Sequence, residues 1–287
     1  MEKKMYLKRL IIVLKNGETL AEIYPVTEDL KEAGVSSFAL LADELLENPA
    51  LVSQMGTEEF LFLTDDTQVA ELTMRENRAT LAYLHAGGDS DFSTVPYGVD
   101  GAEGLDVEFL ERVYRRHAGI SWDILETDRC SIRETTVEDV DAFVKIYSDP
   151  EIVRYTEELY PEVGKEKEYI RQYIEKVYQY FEFGVWTVQL KKTGEIIGRA
   201  GFSVRDGYTL PELGFIIAKK WQNKGIATEI CSAILAYGKE YYGFDKVQLL
   251  VRPENEASIA LCKKLGFQEE KQVREGGKEY LYMVWKG

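Results

Sequence analysis

A short segment of the sequence combines small, polar and basic residues in a spacing that suits anion binding. The segment Glu212–Glu229 reads ELGFIIAKKWQNKGIATE, in which an apolar strand pattern runs into a short loop that opens a helix. Gln222, Gly225 and Ala227 are spaced so that the backbone can come close to a ligand. A helix N-terminus offers free N–H groups and a partial positive charge that suit a pyrophosphate, and Lys224 adds a full charge. A tight turn before a helix would use the same glycine, so the loop alone leaves both interpretations open.

A second segment, thirty residues beyond Gly225, makes the pattern more specific. It reads NEASIALCKKLGF over Asn255–Phe267, with Asn255 in a loop after a strand and a short helix that ends at Gly266. The two segments in this order resemble the GNAT superfamily of N-acetyltransferases. The first is similar to the family's Q/R-x-x-G-x-G/A motif, and the second to its N-x-x-(S/A)-x-x-L-Y-x-x-x-G-F pattern. The resemblance covers residues 128–287.

Three pieces look like one subgroup of that family, the ribosomal-protein N-terminal acetyltransferases. They are Arg133–Thr136, Ser148–Glu151 and Trp221–Glu229. The resemblance implies a GNAT fold, in which helices flank a mixed, mostly antiparallel sheet. It also implies acetyl-CoA as co-substrate. No metal is expected, because an odd count of three cysteines without C-x-x-C spacing argues against a zinc site.

The resemblance assigns a cofactor role to three groups of residues. Backbone N–H groups are expected to cradle the pyrophosphate in Gln222, Asn223, Lys224, Gly225, Ile226, Ala227 and Thr228. The end of the preceding strand is expected to pair with the pantetheine arm as an added strand would, through Phe215, Ile216 and Ile217. Asn255 and Ser258 are expected to hydrogen-bond near the thioester.

Transfer of an acetyl group to an ammonium needs a base and an acid. Glu212 matches the family's general base, acting through water, although a strand glutamate in a purely structural role is an equal alternative. Many family members have a tyrosine as the acid where this chain has Cys262. A thiol has a reference pKa of about 8.5, so Cys262 could donate a proton, but a small buried hydrophobe is the commoner fate of a free cysteine. Tyr280 or Tyr282 could substitute for it.

The function implied is direct transfer of an acetyl group, in a ternary complex, to a primary amine of a peptide N-terminus, a polyamine or a small metabolite. The missing tyrosine at Cys262 favours an alternative, a GNAT fold that holds CoA as a sensor without transfer. A homodimer is left open. The amine acceptor itself is not specified by the sequence.

The elements that position these residues are predicted from periodicity and turn signals. In the second half, a strand at Cys130–Glu134 leads to helices after Thr136 and over Lys165–Phe181. The remaining predicted elements are strands Val185–Leu190, Ile196–Val204 and Glu212–Ala218, helix Gly225–Tyr241, strand Lys246–Val251, helix Glu256–Leu265, and strands Phe267–Val273 and Lys278–Trp285 joined at Gly276–Gly277.

Residues 1–127 are predicted to form a separate α/β domain. Buried strands are expected at Leu10–Leu14, Phe60–Leu63 and Thr80–Leu84, and a helix at Asp106–His117. Alternation of strands and helices predicts a three-layer, Rossmann-like domain with a parallel sheet. It faintly resembles a degenerate haloacid-dehalogenase-like fold. No carboxylate pair follows the first strand, so no phosphatase activity is expected, although a ligand crevice at the strand ends remains possible.

The composition of the chain indicates which classes of partner it binds and where in the cell it lies. The chain of 287 residues carries a net charge of −15, and residues 1–128, with 11 basic and 25 acidic residues, hold −14 of it. An acidic chain without a basic patch is not expected to bind nucleic acid. The acidic strand-end residues Asp65, Asp66, Asp89 and Asp91 could steer a cationic acceptor, although plain solubility is the simpler interpretation. Three cysteines without C-x-x-C spacing, no apolar run of membrane-spanning length and no secretory signal predict a cytoplasmic protein without a membrane partner.

Overall fold

The structure is a computed structural model that describes residues 4–56, 59–86, 88 and 90–287. The chain divides into two compact units, Met1–Trp122 and Asp123–Gly287. Within the described residues, no helix has both the length and the apolar character that crossing a membrane requires.

The first unit is built on a five-stranded parallel sheet. Its strands are β1 (Arg9–Leu14), β2 (Ser36–Leu41), β3 (Phe60–Thr64), β4 (Ala79–Leu84) and β5 (Tyr97–Asp100). They lie in the order β2-β1-β3-β4-β5, and every neighbouring pair is parallel. This confirms the parallel sheet predicted for the first half. The order reverses between β1 and β3, so the carboxyl ends of these two strands flank a topological switch point.

Helices cover both faces of this sheet. They are α1 (Leu20–Glu32), α2 (Ala42–Glu47), α3 (Ala50–Gln54), α4 (Thr67–Arg75) and α5 (Val107–His117). Ile12 and Leu63 pack in one apolar cluster with α1 and α5, whereas Ile11 and Phe62 pack in another with α2, α3 and α4. Because successive side chains of a strand point to opposite faces, two such clusters make a three-layer arrangement.

The second unit is built on an eight-stranded mixed sheet. Its strands are β6 (Asp123–Glu126), β7 (Cys130–Arg133), β8 (Val185–Leu190), β9 (Ile196–Ser203), β10 (Glu212–Ile217), β11 (Lys246–Val251), β12 (Gln268–Glu275) and β13 (Lys278–Lys286). The order is β12-β13-β11-β10-β9-β8-β7-β6. Only the central pair, β10 and β11, is parallel.

The first strand of this sheet places the boundary between the units earlier than the sequence analysis did. Strand β6 pairs antiparallel with β7, and Glu126 lies opposite Ser131. A boundary between residues 127 and 128 would cut this hairpin, so residues 123–127 belong to the second unit. Its Ile124 and Leu125 pack against the core of that unit.

Helices flank the second sheet. They are α6 (Val140–Tyr147), α7 (Pro150–Val153), α8 (Val163–Tyr173), α9 (Gln179–Phe181), α10 (Ile226–Tyr242) and α11 (Glu256–Lys264). A π-helical turn, Ile174–Tyr178, joins α8 to α9. Thr136 and Asp139 form the predicted capping box before α6, and Gly276 and Gly277 both adopt positive φ in the predicted turn between β12 and β13.

The two faces of the second sheet differ in character around β10 and β11. Leu213, Leu249 and Met283 lie in the core together with residues of α10 and α11. Glu212 and Gln248 alternate with these residues along their strands and therefore point to the opposite face. Of the two predicted catalytic residues, Glu212 lies on this polar face, whereas Cys262 lies in the core.

Candidate active site

Strands β10 and β11 pair at a single position and then part. Glu212 lies opposite Gln248, and the Gln248 N–H donates to the Pro211 carbonyl at 2.9 Å. By contrast, β10 pairs with β9 along its whole length, from Glu212 to Ile217. The β10 edge that faces β11 therefore has no strand partner beyond Glu212. We refer to the gap between this edge of β10 and β11 as the opening. On the polar face beside it, a Cβ on Gly214 would meet no atom within 4 Å.

The predicted pyrophosphate loop presents a run of unused backbone donors. Asn223 and Gly225 adopt left-handed φ angles of +57° and +75°, which turn the chain into α10. The first backbone bond of this helix runs from the Glu229 N–H to the Gly225 carbonyl at 3.1 Å, and no side chain caps its N-terminus. Within the described ranges, the N–H groups from Asn223 to Thr228 have no hydrogen-bond acceptor. Such a cradle fits the pyrophosphate of CoA.

Gln222 has a different role from the one implied by the family motif. Its backbone N–H donates to the Lys219 carbonyl at 3.1 Å, so the free donors begin at Asn223. Its side-chain Nε2 donates to the Ile217 carbonyl at 2.8 Å. Gln222 thus ties the loop to the end of β10.

Arg129 holds the loop from the side, a role that the sequence analysis missed. Its Nη1 donates to the Lys224 carbonyl at 2.9 Å, and its Nε donates to Glu229 Oε2 at 2.6 Å. The Lys224 amine lies 4.5 Å from the centre of the Trp221 ring, so its charge stays beside the loop. Arg129 and Lys224 are far apart in the sequence, and no local motif marks the contact.

The second motif lies on the other side of the opening, after β11. Asn255 caps α11, with its Oδ1 accepting from the Ser258 N–H at 3.2 Å. In the part of the chain described, the Asn255 amide nitrogen and the Ser258 hydroxyl donate to no protein group. Both groups remain available to a ligand, as the resemblance implies.

Cys262 lies on the buried side of α11. Its side chain is fully buried in the core, and burial raises the pKa of its thiol to about 12. A thiol enclosed in this way neither meets solvent nor ionises near neutral pH. Of the two interpretations of Cys262, the geometry favours the small buried hydrophobe over the catalytic acid.

Glu212 is held by an ion pair that the sequence analysis did not anticipate. Arg205 Nη2 lies 2.7 Å from Glu212 Oε1, and Arg205 Nε lies 2.5 Å from Oε2. The third guanidinium nitrogen, Nη1, lies 3.1 Å from Glu275 Oε2. The hydrogen bonds to Glu212 raise the pKa of the Arg205 guanidinium above its ordinary value. Both oxygens of the candidate base are therefore occupied by one bidentate partner.

A second polar group lies beside this ion pair. The Tyr282 hydroxyl donates to Gln248 Oε1 at 3.2 Å, and the Tyr208 ring stacks on Tyr282 with centroids 5.5 Å apart. A hydrogen bond to Glu275 raises the pKa of Tyr208 to about 12. Gln248 is fully buried, and its Nε2 has no partner among the residues described. One tyrosine satisfies only one end of an amide, so the other end is enclosed without a partner. Tyr280, the other alternative acid, lies under Arg252 with 5.7 Å between the guanidinium and the ring centre.

Helix α7 is tied to both sides of the opening between β10 and β11. Glu151, in this helix, forms an ion pair with Lys219, which follows β10. Tyr155, just after the helix, donates its hydroxyl to the Glu254 carbonyl, which follows β11, at 3.1 Å. The segment Pro150–Tyr155 therefore bridges the loops that follow the two strands.

The strand ends of the first unit hold an internal hydrogen-bond network rather than an open acidic edge. Asp65 is buried, and its two oxygens contact the Lys15 N–H at 2.8 Å and His85 Nε2 at 3.1 Å. Asp66 caps α4 by accepting from the Val69 N–H.

Only part of the predicted acidic edge faces solvent. Asp91 is exposed, and hydrogen bonds from Ser93 lower its pKa. Asp89 lies outside the described residues. The buried Asp65 and the capping Asp66 do not form the solvent-facing patch that electrostatic steering would require.

Comparison with known proteins places these features in a family context. Residues 129–268 match the family described as the Acetyltransferase (GNAT) domain. The chain is 32% identical over 161 residues to the uncharacterised N-acetyltransferase YoaA of Bacillus subtilis strain 168, covering 55% of this chain and 88% of YoaA. It is 33% identical over 97 residues to the ribosomal protein uS5-alanine N-acetyltransferase of Escherichia coli K12, covering 33% of this chain and 48% of that protein.

A solved structure shows the same likeness at the level of the fold. The ribosomal-protein-S5-alanine acetyltransferase from Vibrio fischeri superposes with a TM-score of 0.50 and 15% identity, covering 58% of this chain and 96% of that one.

Proposed function

The chain belongs to the GNAT acetyltransferase family through its second unit and is an acetyl-CoA-dependent acyltransferase. From this premise we propose that it transfers the acetyl group directly to a primary amine. The acceptor amine belongs to a peptide N-terminus, a polyamine or a small metabolite. The observation that carries the proposal is the parting of β10 and β11 after the pair Glu212–Gln248, next to the free donors of the loop before α10.

This geometry supports one placement for acetyl-CoA. The pyrophosphate lies against the N–H groups of Asn223–Thr228, which the left-handed Gly225 and the contact from Arg129 hold in place. The pantetheine arm lies in the opening and pairs as an added strand with the edge of Phe215–Ile217 that faces β11, where the Gln222 side chain already binds the Ile217 carbonyl. The thioester then reaches the closed end of the opening, beside Glu212 and Gln248.

Glu212 is the proposed base at that closed end, taking the proton of the acceptor ammonium through water. It lies on the polar face of the sheet with its side chain 11% exposed, and we take this face as the side from which the acceptor enters. The unpaired amide end of Gln248 is enclosed in this structure. It is the proposed donor to the acetyl carbonyl oxygen, where negative charge develops during transfer, once cofactor binding moves β10 and β11 further apart. Tyr282 orients this amide through its hydrogen bond and replaces Cys262 as the candidate acid.

The relatives support an amine acceptor without fixing which one. The E. coli relative is named for the N-terminal alanine of a ribosomal protein, and the three sequence pieces that resemble this subgroup lie in the second unit. A peptide N-terminus is therefore the first acceptor to test. A cytoplasmic location fits a ribosomal-protein acceptor.

The test is an acceptor screen with acetyl-CoA and the full chain. The panel contains peptides with N-terminal alanine or serine, spermidine, and an aminoglycoside, and thiol release is measured together with the mass of the acetylated product. Acceptor-dependent release of CoA on any amine supports transfer. Tight acetyl-CoA binding without release on the whole panel would favour the sensor instead, an alternative that the burial of Cys262 keeps in view.

A further inference from the structure

The guanidinium of Arg205 lies between two carboxylates at the acceptor side of the site. We propose that Arg205 occupies the place of the acceptor's ammonium group, and that a cationic acceptor enters by displacing it from Glu212 onto Glu275. This inference rests on the proposed function, because it takes Glu212 as the group that meets the amine. It adds a basis for acceptor specificity to that function, and Arg205 and Glu275 are its positioning residues.

The geometry of the ion pair makes Arg205 a competitor of the incoming amine. Two guanidinium nitrogens contact the two oxygens of Glu212 at 2.7 and 2.5 Å, which is a bidentate arrangement. An incoming amine, or the water that relays its proton, needs one of the same oxygens. Each carboxylate oxygen can accept more than one hydrogen bond, so Arg205 competes with the amine for Glu212 and weakens this carboxylate as a base while it stays in position.

Glu275 lowers the free energy needed to displace Arg205 from Glu212. It already contacts Arg205 Nη1 at 3.1 Å, so the guanidinium can leave Glu212 without losing every anionic partner. A charged group that is withdrawn from water is destabilised when it has no partner of opposite charge. By pairing with the guanidinium, Glu275 removes most of this destabilisation. Tyr208, whose ring stacks on Tyr282, lies beside the receiving carboxylate and interacts with it.

The exposure of the three side chains indicates the direction of entry. Glu212 is 11% exposed, whereas Arg205 and Glu275 are 34% and 32% exposed. The base lies at the inner end, and the exchange partner lies nearer to solvent. A cation arriving from solvent therefore meets Glu275 and Arg205 before Glu212.

The charge balance selects the class of acceptor. Two carboxylates and one guanidinium carry a net charge of −1, and one alkylammonium brings the group to neutrality. A neutral acceptor has no charge with which to replace the guanidinium. The site is thus expected to prefer amines that arrive protonated, such as a peptide N-terminus or a polyamine.

The test is a double-mutant cycle on the acceptor KM. Spermidine and a peptide with N-terminal alanine serve as acceptors, at saturating acetyl-CoA. Glu275→Gln removes the receiving carboxylate, so Arg205 stays on Glu212 and the acceptor KM rises tenfold or more. In Arg205→Gln the competitor is absent, and the acceptor KM falls or stays the same. The double variant returns the KM to near the parent value, because nothing is left to displace.

The matched control is Glu270→Gln, on the same strand as Glu275. Glu270 pairs with Lys286 and makes no contact with Arg205, so its acceptor KM stays at the parent value. A second readout is independent of turnover: methylammonium chloride added to the ¹⁵N-labelled full chain shifts the Nε–H signal of Arg205, whereas tetramethylammonium chloride does not.

Two results would overturn the proposal. One is a Glu275→Gln enzyme with the parent's acceptor KM. The other is a rise in KM for Arg205→Gln that the double variant makes worse, which is the result expected of an Arg205 that only stabilises the loop. A parent enzyme inactive on every amine would instead refute the proposed function, while the methylammonium titration would still report on Arg205.

Discussion

Gly225 is the residue at which the proposed cofactor site is most sharply tested. It adopts a φ of +75°, and a Cβ built on it would lie 3.6 Å from its nearest neighbour, Arg129 Nη2, which is ordinary contact. Gly225→Ala therefore creates no clash. Its cost is the left-handed conformation, about 1–2 kcal/mol for an L-residue.

This strain enters the binding free energy of acetyl-CoA. Without a ligand, the loop of the variant relaxes away from the left-handed geometry, and the donors of Asn223–Thr228 turn with it. The bound state needs those donors in place, so binding restores the strain. A cost of about 1–2 kcal/mol corresponds to a loss of roughly tenfold in affinity, since about 1.4 kcal/mol is tenfold.

Gly243 supplies the matched control at the other end of the same helix. It has a φ of +68°, and a Cβ there would meet nothing within 4 Å. Gly243→Ala should lower the free energy of unfolding by a similar amount and leave acetyl-CoA affinity unchanged. Calorimetry with acetyl-CoA and urea unfolding measure the two effects. Parent-like affinity in a folded Gly225→Ala protein, or equal losses at both glycines, would show that the loop does not bind the pyrophosphate.

Three further predictions concern the reaction and the core. Glu212→Gln should lower kcat by roughly 10²-fold while acetyl-CoA affinity, measured by calorimetry, is retained; full activity would remove Glu212 from the mechanism. Cys262→Ala should keep the parent's kcat and pH–rate profile but lower the free energy of unfolding by about 1 kcal/mol, because it leaves a gap in the core; a changed basic limb of the profile would restore Cys262 as the acid. Gln248→Leu should lower kcat without lowering the free energy of unfolding, because an unpaired buried amide costs about 1–3 kcal/mol; loss of stability with unchanged kcat would mean that the amide is purely structural.

Local patterns in the sequence were sufficient for the elements that carry the site. The strand–loop–helix around Gly225 and the helix after Asn255 were predicted because each is specified by neighbouring residues. The turn at Gly276–Gly277 was also predicted from neighbouring residues. Helix α1 was missed, since Pro25 lies inside it and a proline normally argues against a helix interior.

The features that set the chemistry depend on contacts between distant residues. Arg129 meets the loop 95 residues away at Lys224, and Arg205 meets Glu275 70 residues away. Arg205 lies only seven residues before Glu212, but no motif in this stretch indicates that the two side chains pair. The burial of Cys262 likewise depends on the strands beneath α11 and not on the residues beside it.

The single pairing between β10 and β11 also affects how the second unit holds together. The eight strands form a five-stranded antiparallel block, β6 to β10, and a three-stranded block, β11 to β13, and the two blocks share one register position. Acetyl-CoA bound between the two blocks would act as an added strand that joins them. Such a ligand adds its binding energy to folding, about 2.7 kcal/mol at one hundred times its Kd. Amide hydrogen exchange along the facing edges of β10 and β11 should then slow on binding. The amount of folded protein in a cell would therefore depend on the concentration of acetyl-CoA.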